Sequence, residues 1–196
     1  MRLPLAIALA AALLTLSPAL AALALTVEAP EDYGSVVASA DLIIVGFPID
    51  EGTSRLVGER AIVTDWQVFP QFVLKGSVPY EPLVVRTVGG TGGGMSTPGT
   101  SLRSRGTPYV FFLRATDEAC VPDGAAPDGE VVGGTSPCTV WRPVVEILGI
   151  QPVQRLTIQS PLNRIVIGLA DAEIVAALQE ALAGSRFAVE FTAPLR

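Results

Sequence analysis

Five stretches rich in β-branched and aromatic residues, set against one clearly helical segment late in the chain, constrain this sequence most. Asp41-Leu42-Ile43-Ile44-Val45-Gly46-Phe47 is apolar without a break after its first residue and reads as a buried strand. Glu59 to Leu74 carries Ile62, Val63, Trp66, Val68, Phe69, Phe72 and Val73. It reads as one long strand with a bulge or bend near Pro70, because proline is confined to sheet edges and bulges. Lys75-Gly76 ends it in a turn, and Asp50 to Gly58 is turn-like. Pro82 to Val88, Pro108 to Leu113 and Thr139 to Ile150 supply the other three.

Shorter signals surround these five. Glu31 to Ala40 suits a short helix with acidic residues in its first turn. Val153 to Ile158 and Arg164 to Ile167 suit short strands or a hairpin arm, and Phe187, Val189 and Phe191 alternate like a last strand. Asp171 can cap a helix in which Ile174, Leu178 and Leu182 recur every four residues until Gly184 stops it. The sum is a mainly β chain, a small barrel with a short N-terminal helix and a C-terminal amphipathic helix packed across one barrel end.

The first residues bear on compartment. Met1-Arg2 gives one positive charge, Leu3 to Leu16 is almost wholly apolar, and Ser17-Pro18-Ala19-Leu20-Ala21 supplies a helix breaker and small residues. This is the layout of a cleaved secretory leader over residues 1–22. Its removal leaves 174 of 196 residues, with one domain expected over 30–196. No later run is long and apolar enough for a membrane span, so the expected product is secreted or periplasmic, without a membrane anchor. Acidic residues outnumber basic ones 19 to 13 without a basic cluster, which argues against nucleic acid as a partner. Cys120 and Cys138 are the only cysteines, and in an oxidising compartment they read as one disulfide. Closing that loop stabilises by about 3 kcal/mol in the chain-entropy model.

The stretch Gly89-Gly90-Thr91-Gly92-Gly93-Gly94 follows a strand and invites a phosphate-binding reading. A Walker loop requires a lysine that is absent here, and the dinucleotide fingerprint requires a helix that Met95-Ser96-Thr97-Pro98-Gly99 cannot open. A long connection from Gly89 to Gly106 fits better, and connections of this length are often functional. Gly92, Gly93, Gly94, Arg103 and Arg105 are therefore the candidate binding loop.

The chain contains no histidine, which removes histidine-based triads and acid–base chemistry. No metal site and no cofactor is expected; zinc would need four ligands, and Asp123, Asp128 and Glu130 lack calcium-loop spacing. Lys75 is the one lysine a serine–lysine dyad could use. Asp50, Glu51, Asp117 and Glu118 leave a carboxylate hydrolase as an alternative, although turns explain them. Trp66, Phe69, Phe111, Phe112 and Trp141 could build an aromatic binding surface, with core packing as the default for residues in strands. No catalytic residue is assigned, and the chain reads as non-enzymatic.

"ASADLIIVGFPI" (Ala38 to Ile49), "TDWQVFPQFVLKG" (Thr64 to Gly76), "PLVVRTVGGTGGG" (Pro82 to Gly94) and "GTPYVFFLRA" (Gly106 to Ala115) occur in that order. Their succession resembles exported bacterial domains similar to the OB-fold barrel of tissue inhibitors of metalloproteinases and netrin modules. The resemblance covers Ala38 to Ile150 and implies a five-stranded Greek-key barrel. Inhibition by an N-terminal cysteine chelating zinc does not carry over, because no cysteine precedes Cys120. The expected role is binding or structural, toward a protein or cell-surface partner. A protease-inhibitor-like module working by another surface is the alternative.

Overall fold

The computed structural model describes residues 32–58, 61–78, 82–102, 106–118, 120, 139–146, 148–159, 164–183 and 188–193. Eleven strands and two helices run through them: α1 (Tyr33–Ser39), β1 (Leu42–Pro48), β2 (Thr53–Val57), β3 (Ala61–Lys75), β4 (Leu83–Val88), β5 (Gly90–Gly92), β6 (Met95–Thr97), β7 (Tyr109–Ala115), β8 (Val140–Pro143), β9 (Ile150–Gln159), β10 (Arg164–Leu169), α2 (Ala172–Ala181) and β11 (Ala188–Thr192).

Five of these strands close a barrel in the order β1-β3-β4-β8-β7, with β7 returning to β1. Numbered among themselves along the chain, the barrel strands run 1-2-3-5-4-1, and the 3–5 contact, β4 with β8, is the one parallel pairing. That is the OB-fold barrel. The expected mainly β architecture with a short early helix and a late amphipathic one therefore holds.

The continuous apolar runs have a physical reason: both of their faces are covered. Leu42 and Ile44 of β1 point into the barrel with Trp66, Val68, Val85, Phe111, Leu113 and Trp141. Ile43 and Val45 point outward, into a second core with Val110, Phe112, Ile167, Leu169, Ile174 and Leu178. β7 divides likewise, with Phe111 inside and Phe112 outside, both essentially inaccessible. A one-residue slip of either strand would exchange the two sets.

The second core is what the extra elements build. β9 leaves the barrel beside β7 and pairs antiparallel with β10, while β10 pairs parallel with β11. A parallel neighbour requires a crossover, and α2 supplies it. The Asp171 side chain caps α2 at the backbone N–H of Glu173 and accepts from the Tyr33 hydroxyl, which ties α1 to α2. Burial, then the hydrogen bond with Asp171, pushes the Tyr33 hydroxyl above its ordinary value. The late helix thus lies with α1 outside β1 and β7, rather than across a barrel end.

Other boundaries differ from expectation. Asp32 stands outside α1 as its N-cap, so no acid occupies the first turn. The segment taken as a turn after β1 contains β2, a hairpin partner of β3 between Gly52 and Gly58. Thr139 to Ile150 is split, because β8 ends at Pro143, the backbone bends or turns at 144–146 and 148–149, and Ile150 already belongs to β9. The irregularity expected near Pro70 is present: Gly46 pairs with Pro70 but Val45 with Phe72, leaving Gln71 as the extra residue. Gly184 lies outside the described residues.

Candidate functional site

β1 outlasts its neighbour. β7 begins at Tyr109, opposite Gly46, so Phe47 and Pro48 extend past the last β1–β7 pair. On the other flank of β7, β9 stays paired only through Pro152, with the Val153 N–H donating to the Pro108 carbonyl at 2.8 Å. The two flanking strands therefore diverge around 106–108. An open groove of about 740 Å³ lies between them. Phe47, Pro48, Ile49, Pro108, Val153 and Leu156 form its apolar lining, and Gln71, Thr107 and Gln154 add polar groups. This is the size and composition of small-ligand and peptide sites.

The groove has an uncovered aromatic shoulder. Phe69 faces Phe47 across the β1–β3 ladder, with ring centroids 5.5 Å apart. Phe69 is 40 % exposed and Ile49 45 % exposed, two of the few large apolar side chains left in solvent. Ile49 lies just past the end of β1, and Phe69 lies one residue beyond the last β3–β4 pair, Val68 with Leu83.

The expected binding loop is placed differently. Gly92, Gly93 and Gly94 belong to a two-stranded hairpin in which Gly92 pairs with Met95. Gly93 and Gly94 form its two-residue turn with φ of 57° and 76°, the conformation a tight hairpin of this twist demands. The Thr64 hydroxyl, itself hydrogen-bonded to Ser54, donates to the Gly89 carbonyl at 2.6 Å. The stretch is thus an ordered hairpin held to β2 and β3, and not one long open connection. Arg103 and Arg105 lie outside the described residues, while Gly106, the end of that segment, borders the groove.

Of the five aromatic candidates only Phe69 is exposed; Trp66, Phe111, Phe112 and Trp141 are core residues. The Trp66 indole N–H donates to the Thr87 hydroxyl inside the barrel. Lys75 is occupied by the fold: its ammonium donates to the Val37 and Ala38 carbonyls at 3.0 and 2.9 Å, at the C-terminal end of α1. A cation there satisfies free carbonyls and the helix dipole together. The hydroxyl of the adjacent Ser39 donates instead to the Ser35 and Val36 carbonyls.

Of the candidate carboxylates, Asp50 accepts the backbone N–H groups of Gly52 and Gln67, and Glu118 is held in an arginine network. Arg86, 3 % exposed, forks onto Asp65 through Nε and Nη2 at 2.6 and 2.8 Å, and reaches Glu118 through Nη1 at 2.5 Å. Arg142 holds the other side of Glu118 at 2.5 Å, and Glu146 lies 3.7 Å from Arg142. The bond to Arg142, opposed by burial and reinforced by Arg86, keeps the Glu118 carboxyl below its ordinary range. Burial pushes Glu146 the other way, although its carboxylate accepts the Val88 N–H. For Arg86, burial works against the charge, but its bonds to Asp65 and Glu118 outweigh it and raise the pKa.

Among the described residues no group of three or more potential metal-ligating side chains converges. Asp123, Asp128 and Glu130 lie outside them, as does Cys138. No helix of the described residues is long and apolar enough to cross a membrane. The groove itself escaped the sequence because no residue type marks it. The signal was Phe47-Pro48-Ile49, an apolar run that continues past the expected strand end at Phe47 up to the turn beginning at Asp50. No family model, curated protein or solved structure matches the chain.

Proposed function

We propose that this chain is an exported, non-enzymatic OB-fold domain that works by binding a protein or cell-surface partner at the groove between β1 and β9. The observation that carries the reading is the pair Ile49, 45 % exposed in the groove wall, and Phe69, 40 % exposed and packed on the groove residue Phe47. Apolar side chains grouped beside a concave surface mark interaction sites. The engagement of Lys75 by the end of α1, and of Asp65 and Glu118 by arginines, supports a binding role over the hydrolase alternative. Export rests on the leader-like residues 1–22, and kinship with inhibitor and netrin barrels rests on the ordered sequence motifs.

A capture experiment tests the reading. Immobilised leader-free domain is exposed to proteins of the cell envelope and growth medium, alongside the Phe69→Glu variant. A partner retained by the natural domain and reduced at least tenfold by Phe69→Glu is the expected result. Replacing the turn Gly93-Gly94 with Asn-Gly, which keeps the hairpin, should leave retention unchanged. Retention indifferent to Phe69 would sink the assignment.

The disulfide belongs to the same proposal. The β7–β8 ladder places Ala115 opposite Trp141, and the Thr116 N–H donates to the Val140 carbonyl at 3.0 Å. In the sequence Cys120 follows the end of β7 by five positions and Cys138 precedes the start of β8 by two, so the two cysteines flank the segment that joins one antiparallel pair. Thiol titration of the denatured, unreduced protein should find no free thiol; two reactive thiols would refute the pairing.

A further inference from the structure

β9 is wedged between two cavities and carries an edge that no strand among the described residues covers. From Val153 to Gln159 one side of the strand pairs with β10, running from Leu169 back to Arg164. Its other side pairs with β7 only through Pro152, and the last bond to that side is from Val153 to Pro108. Beyond it, no strand among the described residues joins β9 on that flank. Unpaired N–H and C=O groups in a row are a template for another strand.

The two faces beside this edge differ in chemistry. On one face is the apolar groove, with Val153 and Leu156 in its wall. Farther along the edge stands Ile158, 57 % exposed, although its cross-strand partner Ile165 is 7 % exposed. On the opposite face is a second cavity of about 580 Å³, whose lining includes Arg155, Val166, Gly168 and Thr192. Arg155 pairs with Gly168 and lies over it; a Cβ at Gly168 would sit 3.1 Å from the Arg155 Cβ. Arg155 is exposed and makes no ion pair among the described residues, in a chain of net charge −6.

We propose that the edge of β9 from Gln154 to Ile158 accepts an extended segment of a partner protein as an added strand, and that the fitting segment alternates apolar and acidic side chains. Successive side chains of an added strand point to opposite faces. One set would enter the apolar groove and cover Ile158. The other would meet the exposed guanidinium of Arg155. Main-chain bonds supply affinity in this mode of recognition, and the pockets for alternate side chains supply selectivity. The inference rests on the binding role proposed above and specifies its partner.

The probe is a fluorescein-labelled, end-blocked octapeptide of four Val–Glu repeats, titrated with the leader-free chain and followed by anisotropy. Saturable binding is expected, weakened at least fivefold by Arg155→Glu. The same variant should gain affinity for the corresponding Val–Lys peptide. Ile158→Lys should weaken both peptides, and peptide binding should slow amide exchange at Arg155 to Ile158. Both side chains are exposed, and far-UV circular dichroism verifies that the variants fold. No saturable binding, or binding unchanged by Arg155→Glu, overturns the inference. So does a homodimer that Ile158→Lys dissociates, since it gives the edge to a second copy. Phe69-dependent capture combined with failure of both peptides would leave the binding role standing and remove only the added strand.

Discussion

Replacing Arg86 with alanine is expected to lower the free energy of unfolding by about 3–5 kcal/mol, the range for breaking a buried ion pair from one side. The guanidinium is 4 % exposed and makes three short bonds, to both oxygens of Asp65 and one of Glu118. Its loss strands Asp65, 16 % exposed, whose remaining cation is Arg55 at 3.6 Å. Glu118 is 37 % exposed and keeps Arg142, so water and the second arginine moderate its share and place the result nearer the lower bound. Lysine should not rescue, because one ammonium cannot fork onto Asp65 while reaching Glu118. Urea denaturation with an unchanged m-value would read the difference. A loss below about 1 kcal/mol, the usual scale of surface pairs, would show that the network behaves as solvated charge.

The same network sets a pH dependence. Glu118 titrates below its ordinary value in the folded protein, so its contribution is present above the unfolded pKa and disappears as pH falls through the folded one. Glu146 has the opposite sign. Its folded pKa is raised, so the native state binds the proton more tightly and stability declines as pH rises between the unfolded and folded values. Arg86→Ala should therefore flatten the acid-side loss of stability by removing part of what holds Glu118 down.

Much of the architecture was legible because strands announce themselves by burial on two faces. Leu42 to Val45 and Tyr109 to Leu113 are apolar without alternation, and both lie between the barrel interior and the outer core. β2 was not legible. Thr53-Ser54-Arg55-Leu56-Val57 is mixed in polarity and framed by glycines, and it becomes a strand through pairing with β3. The groove was invisible for another reason: it is a relation between where β1 ends, where β7 begins and where β9 diverges. Residue types cannot encode that offset. Arg86 illustrates the same limit, since an arginine in a β-rich run gives no sign that Asp65 and Glu118 come from two other segments to meet it.

The glycine stretch offers the sharpest contrast between a loop that merely bends and one built into the fold. Gly94→Ala is expected to cost about 1 kcal/mol, the penalty for an L side chain at positive φ, because nothing lies within 4 Å of its new methyl. Gly89→Ala should cost about 3 kcal/mol or more, since overpacking adds to a strained φ. At Gly89, with φ of 101°, a Cβ would stand 2.5 Å from the Gly99 Cα and 2.7 Å from the Pro98 carbonyl oxygen. These are backbone atoms that no rotamer change can clear. For a domain of this size the losses correspond to drops in Tm of about 2–4 °C and about 6–12 °C. Scanning calorimetry on the two variants would separate them. The ordering matters more than either value. A mobile tip would treat both glycines alike, whereas a hairpin clamped at its base tolerates change at the turn and resists it where residues 89 and 99 cross. Equal, small shifts would mean that the base is not held closed, and that the hairpin contributes little to the packing of β2 and β3.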